Sequence, residues 1–171
     1  MPADGAPLPV NPFIETSAFP AAFREALTAG RLAEAAELPA AGPEAFLARG
    51  LARATLGREA DARADFAAGD SAACRIEAAF LDQRRRGDAK AILAVADEVA
   101  QAEGRDSLLK ARAHHLAGLA ESQQRRLQPA SARLLQGAEI YDRLDCRGGA
   151  AQVNDTLGMI LASRGRSDLA A

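Results

Sequence analysis

Apolar residues along this chain come in short stretches broken by polar residues and glycine. None approaches the roughly 20 consecutive apolar residues that span a bilayer. The punctuation recurs. "REALTAGRLAEAAEL" turns at Gly30-Arg31, "GLARATLGREADARADF" at Gly57, and "AAFLDQRRRGDAKAIL" at Gly87-Asp88. Each pivot reads as a helix C-terminus closed by glycine, which enters the left-handed region cheaply. The next helix starts at once, so the pattern predicts antiparallel helix pairs. Ala, Leu, Arg and Glu predominate, and they lose little side-chain freedom on a helix. Strand-favouring residues are scattered, and the expected class is all-α.

An internal repeat strengthens this reading. Residues 116–130 and 156–170 align at an offset of 40, matching Gly118 to Gly158, Arg126 to Arg166 and Ala130 to Ala170. Ala111 and Ala151 keep the same offset. Gly50, Gly118 and Gly158 fall inside helices, where glycine costs about 1 kcal/mol against alanine. Close approach of a neighbouring helix is the expected compensation at all three.

These positions make the chain resemble the tetratricopeptide repeat family. Gly50, Gly57, Ala62 and Phe66 match the small, turn, alanine and apolar positions of one unit. Gly118, Arg125, Ala130, Leu134 and Gly137 match another, and Gly158, Gly165 and Ala170 begin a further one. The C-terminal half is similar to the longer, roughly 40-residue variety of bacterial signalling proteins and kinesin-light-chain-like arrays. The earlier pivots, 27 and 30 residues apart, are more closely spaced than the usual unit of about 34. The resemblance implies an α-solenoid of helix hairpins in a right-handed superhelix. Its expected units are 19–41, 43–70, 72–103, 106–144 and an incomplete 149–171, behind a flexible lead of residues 1–18.

Composition narrows the function. The 21 basic and 23 acidic residues nearly balance, so the basic excess of a nucleic-acid binder is missing. Arg84-Arg85-Arg86 is the one basic cluster and reads as a helix end, where the macrodipole favours cations. Cys74 and Cys146 have no metal-ligand spacing, and "MPADGAPLPVNPF" is unlike a signal segment. The expected location is the cytoplasm, with reduced thiols and no membrane partner.

Candidate chemistry is thin. No phosphate loop, zinc-protease helix or nucleophile elbow occurs, and neither an enzyme activity nor a cofactor or metal is expected. His114 and His115 are adjacent on a helix and point about 100° apart, so they do not form one metal site. His114 is expected to pack and His115 to face outward. Cys146 lacks a neighbouring base, and Cys74 is expected to pack.

The resemblance instead implies a concave groove. It would be lined by Arg112, His115, Leu119, Ser122 and Gln123, then by Gln152, Asp155, Met159, Ala162 and Ser163. Cys74, Glu77, Leu81, Arg84 and Arg85 would add to it from the third unit. Arginine forks suit carboxylates, so an acidic peptide or protein segment is the expected partner of a non-catalytic interaction scaffold. The alternative is a regulatory module of a longer bacterial signalling protein, a transcription regulator or a caspase-like peptidase. Leu157, Ile160 and Leu161 lie on a last helix whose partner receives barely one turn. That pattern predicts continuation into a longer array, or a covering chain, with self-association through an apolar C-terminal end.

Overall fold

The computed structural model describes the backbone of residues 16–168 and the side chains of residues 17–162. Most of the expected flexible lead, and the closing Leu169-Ala170-Ala171, lie outside the described residues, as does the side chain of Ser163. The described residues are helical, with no strand. A single 3-10 turn, Thr16–Ala18, precedes α1 (Ala21–Thr28), α2 (Leu32–Glu37), α3 (Pro43–Thr55), α4 (Glu59–Gly69) and α5 (Ala72–Arg84). Then follow α6 (Ala89–Ala102), α7 (Leu108–Gln123), α8 (Leu127–Arg143) and α9 (Arg147–Asp168). The chain forms two compact units, Met1–Ala78 and Ala79–Ala171, and the division falls within α5.

Among the described residues one turn design recurs five times. A residue with positive φ ends a helix at Gly30 (70°), Gly57 (77°), Arg86 (55°), Arg125 (60°) and Asp145 (51°). In each case the following N–H reaches back to the carbonyl five residues earlier: Arg31 to Ala26, Arg58 to Arg53, Gly87 to Asp82, Arg126 to Glu121 and Cys146 to Tyr141. This closure satisfies carbonyls that the helix end leaves orphaned. In four of the five turns the residue five places after the left-handed one is a buried alanine: Ala35, Ala62, Ala130 and Ala150.

The third turn departs from the expectation. The left-handed residue is Arg86, one place before the predicted Gly87. Asp88 caps the next helix, its carboxylate accepting from the Lys90 N–H at 2.9 Å. The cap is extended, and α6 starts at Ala89, three residues after the left-handed Arg86 where the other four turns use two. A further turn expected at Gly165-Arg166 is not formed, and α9 runs through both residues to Asp168. Glycine permits a left-handed turn but does not impose one.

In the first unit α3 and α4 pack antiparallel. A β-carbon built on Gly50 would lie 2.5 Å from the Phe66 ring, and one on Gly69 would lie 3.2 Å from Phe46 Cβ. Higher numbers on one helix thus meet lower ones on the other. Phe23, Leu27, Leu47, Leu51 and Phe66 are buried around this pair. In the second unit α6, α7, α8 and α9 each pack on their neighbour in the chain. A β-carbon on Gly118 would meet Leu134 Cγ at 2.6 Å, and one on Gly137 would meet the Ala111 carbonyl at 3.1 Å. Gly149 is tight against the Tyr141 ring in the same way. The expected compensation therefore holds at Gly50 and Gly118. It fails at Gly158, which is exposed and has none of the described residues within 4 Å of a built β-carbon.

Candidate functional site

Most of the expected groove residues fall in the second unit, on α7, on α9, and on the last turn of α5 with the Arg85 that follows it. The central helix α7 is capped by Ser107, whose hydroxyl accepts from the Lys110 N–H at 3.0 Å. Residues 111–118 of α7 are buried without interruption, so even its polar side chains lie inside the fold.

Two of those polar residues were expected at the surface. The Arg112 guanidinium lies 3.5 Å over the centroid of Phe80, a stacked cation–π contact. His115 meets the same ring edge-on, with centroids 5.6 Å apart and planes at 71°. Arg112 and His115 therefore form the floor beneath the surface and are not open groove contacts. The apolar Phe80 ring attracts both side chains inward. The resemblance carried no information about Phe80, because it assigned α5 by register alone.

The His115 tautomer follows from its hydrogen bonds. The Thr156 hydroxyl donates to the Gln152 carbonyl at 3.0 Å, one turn back on α9. The Thr156 oxygen then accepts from the His115 Nε2–H at 3.3 Å. Nδ1 is left as the unprotonated nitrogen, buried and without a hydrogen-bond partner among the described residues. Burial, reinforced by the Arg112 cation, pushes the His115 imidazole down to about 3. His114 is also buried, and its imidazole is lowered by burial and by the Arg133 and Lys110 cations. Both rings are thus neutral at pH 7 and act as packing groups. No cluster of three or more His, Cys, Asp or Glu side chains among the described residues is placed to hold a metal ion.

The remaining candidates divide by role. Gln123 donates from Nε2 to the Gly87 carbonyl at 2.9 Å and so ties α7 to the turn between α5 and α6. Leu119 and Ser122 are half-buried, Leu81 is buried, and Arg84 and Arg85 are exposed. Gln152, Asp155 and Met159 are exposed along one side of α9 at the helical spacing of three and four residues. Cys74 and Glu77 belong to the first unit and are buried. Burial pushes the Cys74 thiol up from its ordinary value, the opposite of what a nucleophile needs. Cys146 is half-buried at the entrance to α9, where its carbonyl accepts from the Ala150 N–H.

Sequence reasoning missed one polar cluster in the first unit. Asp65, 2% exposed, accepts Nε and Nη2 of Arg49 and Nη1 of Arg53, with contacts from 2.7 to 3.2 Å. The same arginines donate to the Leu38 and Ala36 carbonyls at the end of α2. The available signal was the Arg49/Arg53 pair, four residues apart and so on one helix face.

Comparison with protein-family models, curated proteins and solved structures found no match for this chain. None of the helices among the described residues is long and apolar enough to cross a membrane.

Proposed function

We propose that this protein is a non-catalytic, tetratricopeptide-like α-solenoid that binds a peptide or protein segment on the second unit. The observation that carries this reading is the repeated hairpin chemistry. A glycine inside one helix receives a large apolar side chain from the next, at Gly50/Phe66 and Gly118/Leu134, across a turn of one design. Such a scaffold buries its polar α7 residues as structure and leaves α9 and the end of α5 to meet a partner. The binding side chains are Gln152, Asp155 and Met159, with Arg84 and Arg85 supplying the cationic contribution that suits an acidic segment.

Photocrosslinking tests this. A benzophenone side chain at Gln152 should capture a partner in extracts of the source cells. The same group at the exposed Ala132 of α8 should not. Charge reversal at Arg84 and Arg85 should reduce the Gln152 product at unchanged helicity. Equal capture from both positions would refute the assignment.

A further inference from the structure

Gly118 and Gly158 hold the same place in the 40-residue repeat, yet one is covered and the other open. The covering helix follows a rule visible twice in the molecule. On α8 it presents Ala130, Leu134 and Gly137, and on α4 it presents Ala62, Phe66 and Gly69. In each, the alanine is buried, the large side chain fills the glycine notch, and the second glycine lets the backbones close. The spacing Ala-x-x-x-Leu/Phe-x-x-Gly occurs at these two places only in the whole sequence, and both are already packed internally.

On α9 the positions matching the α8-covered face of α7 are open. Ala151, Asn154, Gly158 and Leu161 are all exposed, with Leu161 at 49%, and neighbouring Met159 is 68% exposed. From Gly148 to Ala162 the single charged residue is Asp155, and its carboxylate borders this face. We infer that this face of α9 is a docking surface for an amphipathic helix of another polypeptide. That helix carries Ala-x-x-x-Leu/Phe-x-x-Gly and a basic residue flanking the stripe. Its large side chain enters the notch at Gly158, and its cation faces Asp155. A second copy is disfavoured as occupant, because it would have to unpack α4 or α8 to present the motif. The inference shares Asp155 and Met159 with the groove reading above but rests on Gly158, so Gly158→Leu tests it independently of Arg84 and Arg85.

The chain's own α8 sequence, LQPASARLLQGAEIYDR, is the natural probe. Fluorescence anisotropy of this labelled peptide against the full chain should show saturable binding below roughly 1 mM. Gly158→Leu, whose side chain enters open space and leaves the fold intact, should weaken binding at least tenfold. The peptide with alanine in place of the first of its two consecutive leucines (Leu134 in the chain) should weaken it similarly. With Gln136 of the peptide replaced by Lys, binding should be tighter than with Glu, and Asp155→Asn should remove that difference. No saturable binding, or equal binding to Gly158→Leu, would overturn the proposal. So would a dimer in sedimentation that Gly158→Leu dissociates, since the occupant would then be a second copy.

Discussion

The hairpins α3–α4 and α7–α8 solve the same packing problem with different polar chemistry. Both close on a glycine notch, Gly50 under Phe66 and Gly118 under Leu134. Around the first, two arginines converge on one buried carboxylate, Asp65. Around the second, two histidines are buried without charge. The small-to-large match sets the antiparallel pairing in both, while the polar residues decide which conditions each hairpin tolerates. A paired buried charge is vulnerable to loss of its partner. A buried neutral imidazole is vulnerable to protons.

The largest expected effect breaks this contrast from the first side. Asp65→Ala leaves Arg49 and Arg53, both mostly buried, without their shared anion, which should cost about 3–5 kcal/mol. Urea unfolding followed by circular dichroism should show an early transition in the variant. The matching change at Asp97, a half-buried partner of Arg133 on the second unit, should cost much less.

The shared element is probed next. Gly118→Ala drives a β-carbon against Leu134 and the Ala130 carbonyl. Overpacking of this kind costs about 1–3 kcal/mol, against a gain of about 1 kcal/mol in helix propensity. A net loss is expected, and Gly50→Ala should behave alike against Phe66. Thermal unfolding of both variants should fall below that of the parent chain.

Acid sharpens the comparison from the other side. The folded His115 imidazole is depressed below the unfolded value of about 6.5, so the unfolded chain binds more protons once the pH falls below that value. Stability of the second unit should therefore decline from about pH 6.5 downward, until His115 protonates in the fold near 3. The slope is about 1.4 kcal/mol per pH unit for each histidine held neutral. Tyr141 is the only tyrosine, and there is no tryptophan, so intrinsic fluorescence reports this unit alone. Urea midpoints read from Tyr141 should drop between pH 7 and 5.5, and His115→Leu should flatten the dependence. An unchanged midpoint would mean that the imidazoles are solvated.

The smallest effect has the opposite sign. Gly158→Ala adds a methyl to an exposed helix position with open space around it, and should stabilise by about 0.5–1 kcal/mol. Read beside Gly118→Ala, it separates a glycine required by packing from one that is not.

Much of this was legible in the chain. Helix pairing followed from Gly30, Gly57 and the 40-residue repeat, because a turn and a hydrophobic stripe are local properties. The notches at Gly50 and Gly118 could be anticipated for the same reason. The sites were less legible, since burial depends on what another helix supplies. Arg112 and His115 look like surface residues until Phe80 is brought over them. Gly158 looks like Gly118 until its surroundings are seen. Asp65 sits on a helix of modest hydrophobic contrast, and only its two arginines reveal that it faces inward. The third turn closes on Arg86 and not on the neighbouring Gly87, because a glycine marks where a left-handed residue is cheap and not where it must fall.

The neighbour-on-neighbour packing of α6 through α9 also bears on how quickly this part of the chain finds its structure. Its helix–helix contacts close over short stretches of chain, so each costs little loop entropy. Chains dominated by such local contacts fold on the microsecond-to-millisecond scale. Each five-residue turn closure is then a place where collapse can begin, because the two helices it joins already carry the side chains that lock them.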